Sequence, residues 1–82
     1  MIILPLTLRQ QKYLRDHNLE KKYLKQSKLL QIDFRHPSLN VELLEPKEKG
    51  IYSFRLDIHY RVLFVCYEKE KIEIIVITNH YQ

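Results

Sequence analysis

The sequence predicts an α+β domain: a short N-terminal strand, two helices, then a three-stranded antiparallel meander, with both helices packed on one face of the sheet. Two periodicities carry that reading. Apolar residues recur at helical spacing through residues 7–32, and from residue 51 onward they alternate with polar ones as in a strand. A turn-rich stretch with Pro37, Pro46 and Gly50 separates the two regimes.

The 82 residues make one domain, 1–82, because two halves this small cannot each support a core. Hydrophobic residues at 45%, charged residues at 29%, one Gly and three Pro describe a compact globular chain rather than a disordered one. The single Cys66 cannot close an intramolecular disulfide, and no Cys and His residues fall at zinc spacing. A reducing cytoplasm, no metal and no small-molecule cofactor are therefore expected. The apolar start MIILPL has no basic region before it and no small-residue cleavage site, which speaks against a signal peptide and a membrane span. Fourteen Lys and Arg against ten Asp and Glu leave +4, a bias that suits a polyanionic partner and suits plain solubility equally well.

Residues 2–6 read as the first strand. In the first helix, 7–17, Thr7 is the N-cap and Leu8, Gln11, Tyr13 and Leu14 form the apolar side, with Arg9, Lys12, Arg15 and Asp16 between. Asn18 breaks it. Leu19, Tyr23, Leu24, Ser27 and Leu30 define a second helix to about Ile32, with Lys21, Lys22, Lys25 and Lys28 on its solvated side and assigned no role. Residues 33–50 form a loop with room for a short strand or a turn of helix around Leu39, Val41, Leu43 and Leu44. Three strands follow at about 51–57, 60–67 and 72–79, the last two joined by the charged turn EKEK. The sheet face away from the helices stays open as a binding surface.

The stretch YSFRLDIHYR holds two arginines whose placement follows from register. Tyr52, Phe54 and Leu56 point one way, Ser53, Arg55 and Asp57 the other. A three-residue connection, Asp57-Ile58-His59, pairs Leu56 with Tyr60, Phe54 with Val62 and Arg55 with Arg61, whereas a two-residue turn sets Leu56 opposite Arg61. The longer connection wins because it matches apolar faces. Arg55 and Arg61 then stand roughly 5 Å apart at Cβ, an unfavourable pairing unless an anion or a carboxylate sits between them. Local acids such as Asp57, Glu42 or Glu73 are the plain alternative to a bound anion. In the last hairpin Tyr67 pairs with Ile72 and Arg61 with Thr78, so that Thr78 and His80 share the face of Arg61.

Such a patch suits RNA. Cleavage without a metal needs a base for the 2′-hydroxyl proton, cations for the charge that develops on phosphorus, and an acid for the departing 5′ oxygen. A Glu, paired arginines and a His supply these parts, and Tyr81 can stack on a base. His17, His36 and His59 are read as structural or solvent-facing, and Cys66 as a buried, inert thiol on the apolar face.

HPSLN, ELLEPKEKGIYSFR, HYRVLFV and the closing NHYQ together resemble the RelE/ParE superfamily of toxins from toxin–antitoxin modules, and most closely the RelE/YoeB-like mRNA interferases. The resemblance implies a RelE-like fold and a bacterial cytoplasmic endoribonuclease that cleaves mRNA in the ribosomal A site and is neutralised by a cognate antitoxin. It implies Glu42 as general base, with Glu45 in the same loop as competitor, Arg61 as the phosphate-stabilising cation, His80 as general acid and Tyr81 as a positioning group. Arg55, Lys47 and Lys49 would contact RNA phosphates. The same scaffold also carries ParE-like toxins that inhibit DNA gyrase without cutting nucleic acid, and an inactive antitoxin-binding domain is a third reading.

Overall fold

The computed structural model describes residues 1–68 and 70–79. Strand β1 is Ile2–Ile3, shorter than the five residues expected. Helix α1, Leu8–Asp16, opens on a capping box in which the Thr7 hydroxyl accepts from the Gln10 amide at 3.1 Å and the Gln10 side chain accepts from the Thr7 amide at 2.9 Å. It ends where expected, with Asn18 in the left-handed region at φ 55°. Only Tyr13 and Leu14 of the anticipated apolar side turn inward, and Leu8 is 83% exposed. The inward stripe runs through positions 10, 13 and 14, so Gln10 takes the place expected for Leu8 and donates to the Ile74 carbonyl at 3.0 Å.

Helix α2, Glu20–Ile32, buries Gln26, Ser27 and Leu30 together with Leu19 just before it. That stripe leaves Leu24 outside at 62% exposure, while Lys21, Lys22, Lys25 and Lys28 are exposed as expected. Gln26 is buried because its amide ties three elements: it donates to the Arg55 carbonyl at 2.8 Å and the Ser38 carbonyl at 3.2 Å. The loop contains both of its anticipated possibilities. A 3-10 turn, Pro37–Leu39, precedes strand β2, Glu42–Leu43, and a second 3-10 turn, Lys47–Lys49, closes on Gly50 at φ 64°. Glycine adopts that φ without the Cβ penalty.

The meander is β3, Ile51–Arg55, β4, Arg61–Tyr67, and β5, Lys71–Thr78. It forms the centre of a five-stranded sheet of order β1-β5-β4-β3-β2, in which β1 is parallel to β5 and the other pairs are antiparallel. The β3–β4 register is as predicted, with Phe54 opposite Val62 and Arg55 opposite Arg61. In the last hairpin Arg61 meets Thr78 as expected, but Tyr67 meets Lys71 instead of Ile72. The cause is a bulge: Leu63 pairs with Val76 and Phe64 with Ile74, so Ile75 is an extra residue. The bulge switches parity along β5, which lets Ile72, Ile74 and Ile77 all face the core while Thr78 stays on the side of Arg61.

Phe54, Leu56, Val62, Phe64, Ile72, Ile74 and Ile77 pack against Leu14, Leu19, Leu30 and Leu39, all at most 6% exposed. Cys66 corrects an expectation. It shares the side of Phe64, yet it is exposed near the end of β4 beside Tyr67, itself 46% exposed. No helix among the described residues is long and apolar enough to cross a membrane. Because Phe64 is fully buried, Phe64→Ala is expected to lower stability by about 3–5 kcal/mol. Equilibrium urea unfolding measures this, and a loss near zero would contradict the assigned core.

Candidate functional site

Arg61 is the unusual residue of the open sheet face, because its charged side chain is only 7% exposed. It lies across β3. Its Nε and Nη2 donate to Ser53 Oγ at 3.0 and 2.9 Å, and Nη2 donates to the Asn40 carbonyl at 2.6 Å. Ser53, fully buried, is small enough for the guanidinium to pass over it. Asn40 follows the 3-10 turn in the left-handed region, φ 45° and ψ 55°, a conformation that Asn tolerates better than most side chains. Glu42 stands opposite Ser53 on β2, which brings its Oε1 to 3.7 Å from Arg61 Nη2. That oxygen is buried and accepts no hydrogen bond among the described residues.

Burial pushes the Arg61 pKa down and the neighbouring Arg55 charge adds to that, while the Glu42 carboxylate works the other way. A guanidinium remains charged at neutral pH all the same. The plain alternative therefore holds in part: the carboxylate that relieves the arginine pair is Glu42, and it serves Arg61. Arg55 is exposed and makes no ion pair among the described residues.

The two arginines line one cavity of about 300 Å³ with Asn40, Asp57, Ile58, His59 and Asn79. The hairpin tip is organised by Asp57, whose Oδ1 accepts from the amides of His59 and Tyr60, both at 2.8 Å, and whose Oδ2 accepts from Lys22 Nζ at 2.7 Å. Burial alone raises the Asp57 pKa, but the Lys22 hydrogen bond, the two amides and the Lys22 charge outweigh it and hold the carboxyl below its ordinary value. Lys22, read from sequence as merely solvated, thus braces the wall of the cavity from α2.

Of the predicted site residues, Glu42, Arg55 and Arg61 come together. Glu45 is exposed and makes no hydrogen bond or ion pair among the described residues, so Glu42 alone of the two carboxylates stands at the arginine. Lys47 and Lys49 are exposed on the turn before Ile51, at the opposite end of β3 from Arg55, roughly 13 Å along the strand. His80 and Tyr81 lie outside the described residues. Sequence reasoning missed Asn40 and His59 as cavity residues. The available signal was the Asp57-x-His59 turn, whose carboxylate fixes the loop that carries the imidazole. His17 and His36 are structural as expected: His17 stacks on Tyr13 with centroids 4.0 Å apart, and His36 Nδ1 accepts from the Ser38 amide at 3.2 Å.

Two helices and a five-stranded mixed sheet match the fold of solved YoeB toxin structures. The YoeB/ParE toxin from Agrobacterium tumefaciens is 18% identical with a TM-score of 0.71, covering 99% of this chain and 100% of that one. The YoeB-YefM toxin–antitoxin heterotetramer from Staphylococcus aureus is 22% identical with a TM-score of 0.69, over 98% and 94% of the chains. The YoeB dimer from the same organism is 23% identical with a TM-score of 0.64 over the same shares. No protein-family model matches the chain, and no curated protein does. At these identities the likeness establishes the RelE-like fold that the motifs implied.

Because the Asp57 pKa is depressed on folding, the stability it contributes is present above the ordinary carboxylate value and is lost as pH falls through the lower folded one. Asp57→Asn keeps an oxygen for the turn amides and removes the Lys22 ion pair. It is expected to be less stable than wild type by up to about 1 kcal/mol at pH 7. The difference should shrink as pH falls below about 4, where the unfolded carboxyl takes up its proton before the folded one does. Urea unfolding of both proteins from pH 7 to pH 3 checks this, and a difference independent of pH would contradict it.

Proposed function

We propose that the chain is the toxin of a toxin–antitoxin module and acts as a metal-independent endoribonuclease on mRNA, cutting it in the ribosomal A site. The observation that carries the reading is the buried Arg61 guanidinium on the open face, with the exposed Arg55 opposite it and the unsatisfied Glu42 carboxylate oxygen 3.7 Å away. A cation pair beside a carboxylate supplies two of the parts that phosphoryl transfer to a 2′-hydroxyl uses, the base and the charge stabilisation.

In this reading Glu42 takes the proton of the 2′-hydroxyl, and O2′ attacks the adjacent phosphorus. Arg55 and Arg61 stabilise the charge on the phosphoryl oxygens. Arg61, held by Ser53 and Asn40, is already oriented and loses little freedom on binding. The P–O5′ bond breaks, His80 returns a proton to the leaving oxygen, and a 2′,3′-cyclic phosphate remains. Tyr81 positions the substrate, and Lys47 and Lys49 hold backbone phosphates further along the strand. The YoeB-YefM complex supports a cognate antitoxin as partner. A bacterial cytoplasmic location follows from that role.

Ribosomes programmed with mRNA test the proposal. Wild type should cut, Glu42→Gln and Arg61→Ala should each cut about 100-fold more slowly or worse, and a 2′-deoxy nucleotide at the cut position should block cleavage. Uncut mRNA with wild-type protein, or equal rates for wild type and Arg61→Ala, refutes it. The runner-up is a ParE-like toxin without nuclease activity, and inhibition of gyrase supercoiling with translation untouched would put that reading first.

A further inference from the structure

A second and larger cavity, about 550 Å³, lies on the other side of Asn40. Phe34, Arg35, His36, Val41, Leu43 and Tyr52 supply most of its lining. Its volume is in the range of small-ligand sites. Tyr52 and Leu43 stand opposite each other on β3 and β2, and belong to the sheet face opposite Glu42 and Ser53. The cavity therefore wraps the β2 edge of the sheet, and among the described residues Asn40 alone lines both it and the arginine pocket.

Its walls have a definite chemistry. Tyr52 is stacked on Phe64, with centroids 5.6 Å apart and planes 21° apart, and Phe34 meets Tyr52 edge-on at 6.4 Å and 79°. These contacts fix the aromatic corner before any ligand arrives. Tyr52 and Phe34 are still only half-buried, so ring surface remains to receive another flat group. At the rim the Arg35 side chain is exposed and makes no ion pair among the described residues. A rigid aromatic wall with a guanidinium at its rim suits a flat, unstacked base that carries a phosphate. A fatty chain or an acidic peptide would use only one half of it.

We propose that this cavity holds one unstacked RNA base next to the phosphate seated at Arg55 and Arg61, with Arg35 on that nucleotide's own phosphate and Asn40 at the crossing between the two sites. The inference rests on the RNA-cleaving reading above and names the recognition element that reading lacks. Single-stranded RNA is usually read by splaying bases into such places.

The test is an NMR titration of the full chain with adenosine 3′-monophosphate, uridine 3′-monophosphate and inorganic phosphate. The nucleotides should shift Val41, Leu43 and Tyr52, and phosphate alone should not. Arg55→Gln should keep those shifts, because its exposed side chain lines only the neighbouring pocket. Arg35→Ala should weaken nucleotide binding about tenfold, the size expected for one charged hydrogen bond. Leu43→Glu, at a site 39% exposed and therefore tolerant of folding, should abolish binding. Nucleotide shifts confined to the residues that phosphate also moves, or affinity unchanged in both Arg35→Ala and Leu43→Glu, would overturn the proposal. Failure of the nuclease reading is distinguishable: mRNA would stay uncut while the nucleotides still shifted Tyr52. Cleavage without those shifts would remove the base site alone.

Discussion

A guanidinium that spans a strand organises this molecule's working face. Burying a charged group is costly unless it is paired and hydrogen-bonded, and Arg61 is held by separate segments: Ser53 from β3, the Asn40 carbonyl from the 3-10 turn and Glu42 from β2. The two-residue β2 strand has few ladder bonds of its own, so the arginine does much to hold that edge in place. The same demand explains Ser53, where a larger side chain would occupy the path of the guanidinium. With Arg61 fixed, the second positive charge directly across the ladder must turn outward, and Arg55 is exposed as a result.

The hairpin around this pair was legible because burial sets register. Phe54 and Val62 had to face the core together, and Arg55 and Arg61 followed with no freedom left. The β5 bulge was not legible, since Ile74-Ile75-Val76-Ile77 is apolar at every position and either parity looks acceptable. Only the competing needs of Ile72 and Ile77 for the core, with Thr78 kept beside Arg61, decide it. The helix faces were read correctly in the middle and wrongly at their margins: Leu8 and Leu24 look like core residues, and the positions they seem to claim belong to Gln10 and Gln26. A glutamine that satisfies strand carbonyls is invisible to a hydrophobicity pattern.

Site chemistry was legible to a similar degree. Cross-strand geometry found the arginine pair from spacing, while Glu42 was one of several local acids and gained its role only from the family motifs. It left out Asn40, which acts through its backbone, and Lys22, whose partner is 35 residues away. Long-range pairs of this kind need the tertiary fold before they can be seen. The fold shared with the YoeB structures sets the frame, but a common scaffold carries different activities, so the functional reading rests on the side chains gathered at Arg61.

The central claim is that Arg55 and Arg61 form one seat for an RNA phosphate. The most direct measurement follows the Nε–Hε NMR signals of the arginines while a non-cleavable 2′-O-methyl oligoribonucleotide is added. The Arg55 and Arg61 signals should move together and saturate at a common concentration. Movement confined to other arginines, or two unrelated binding curves for Arg55 and Arg61, would contradict it.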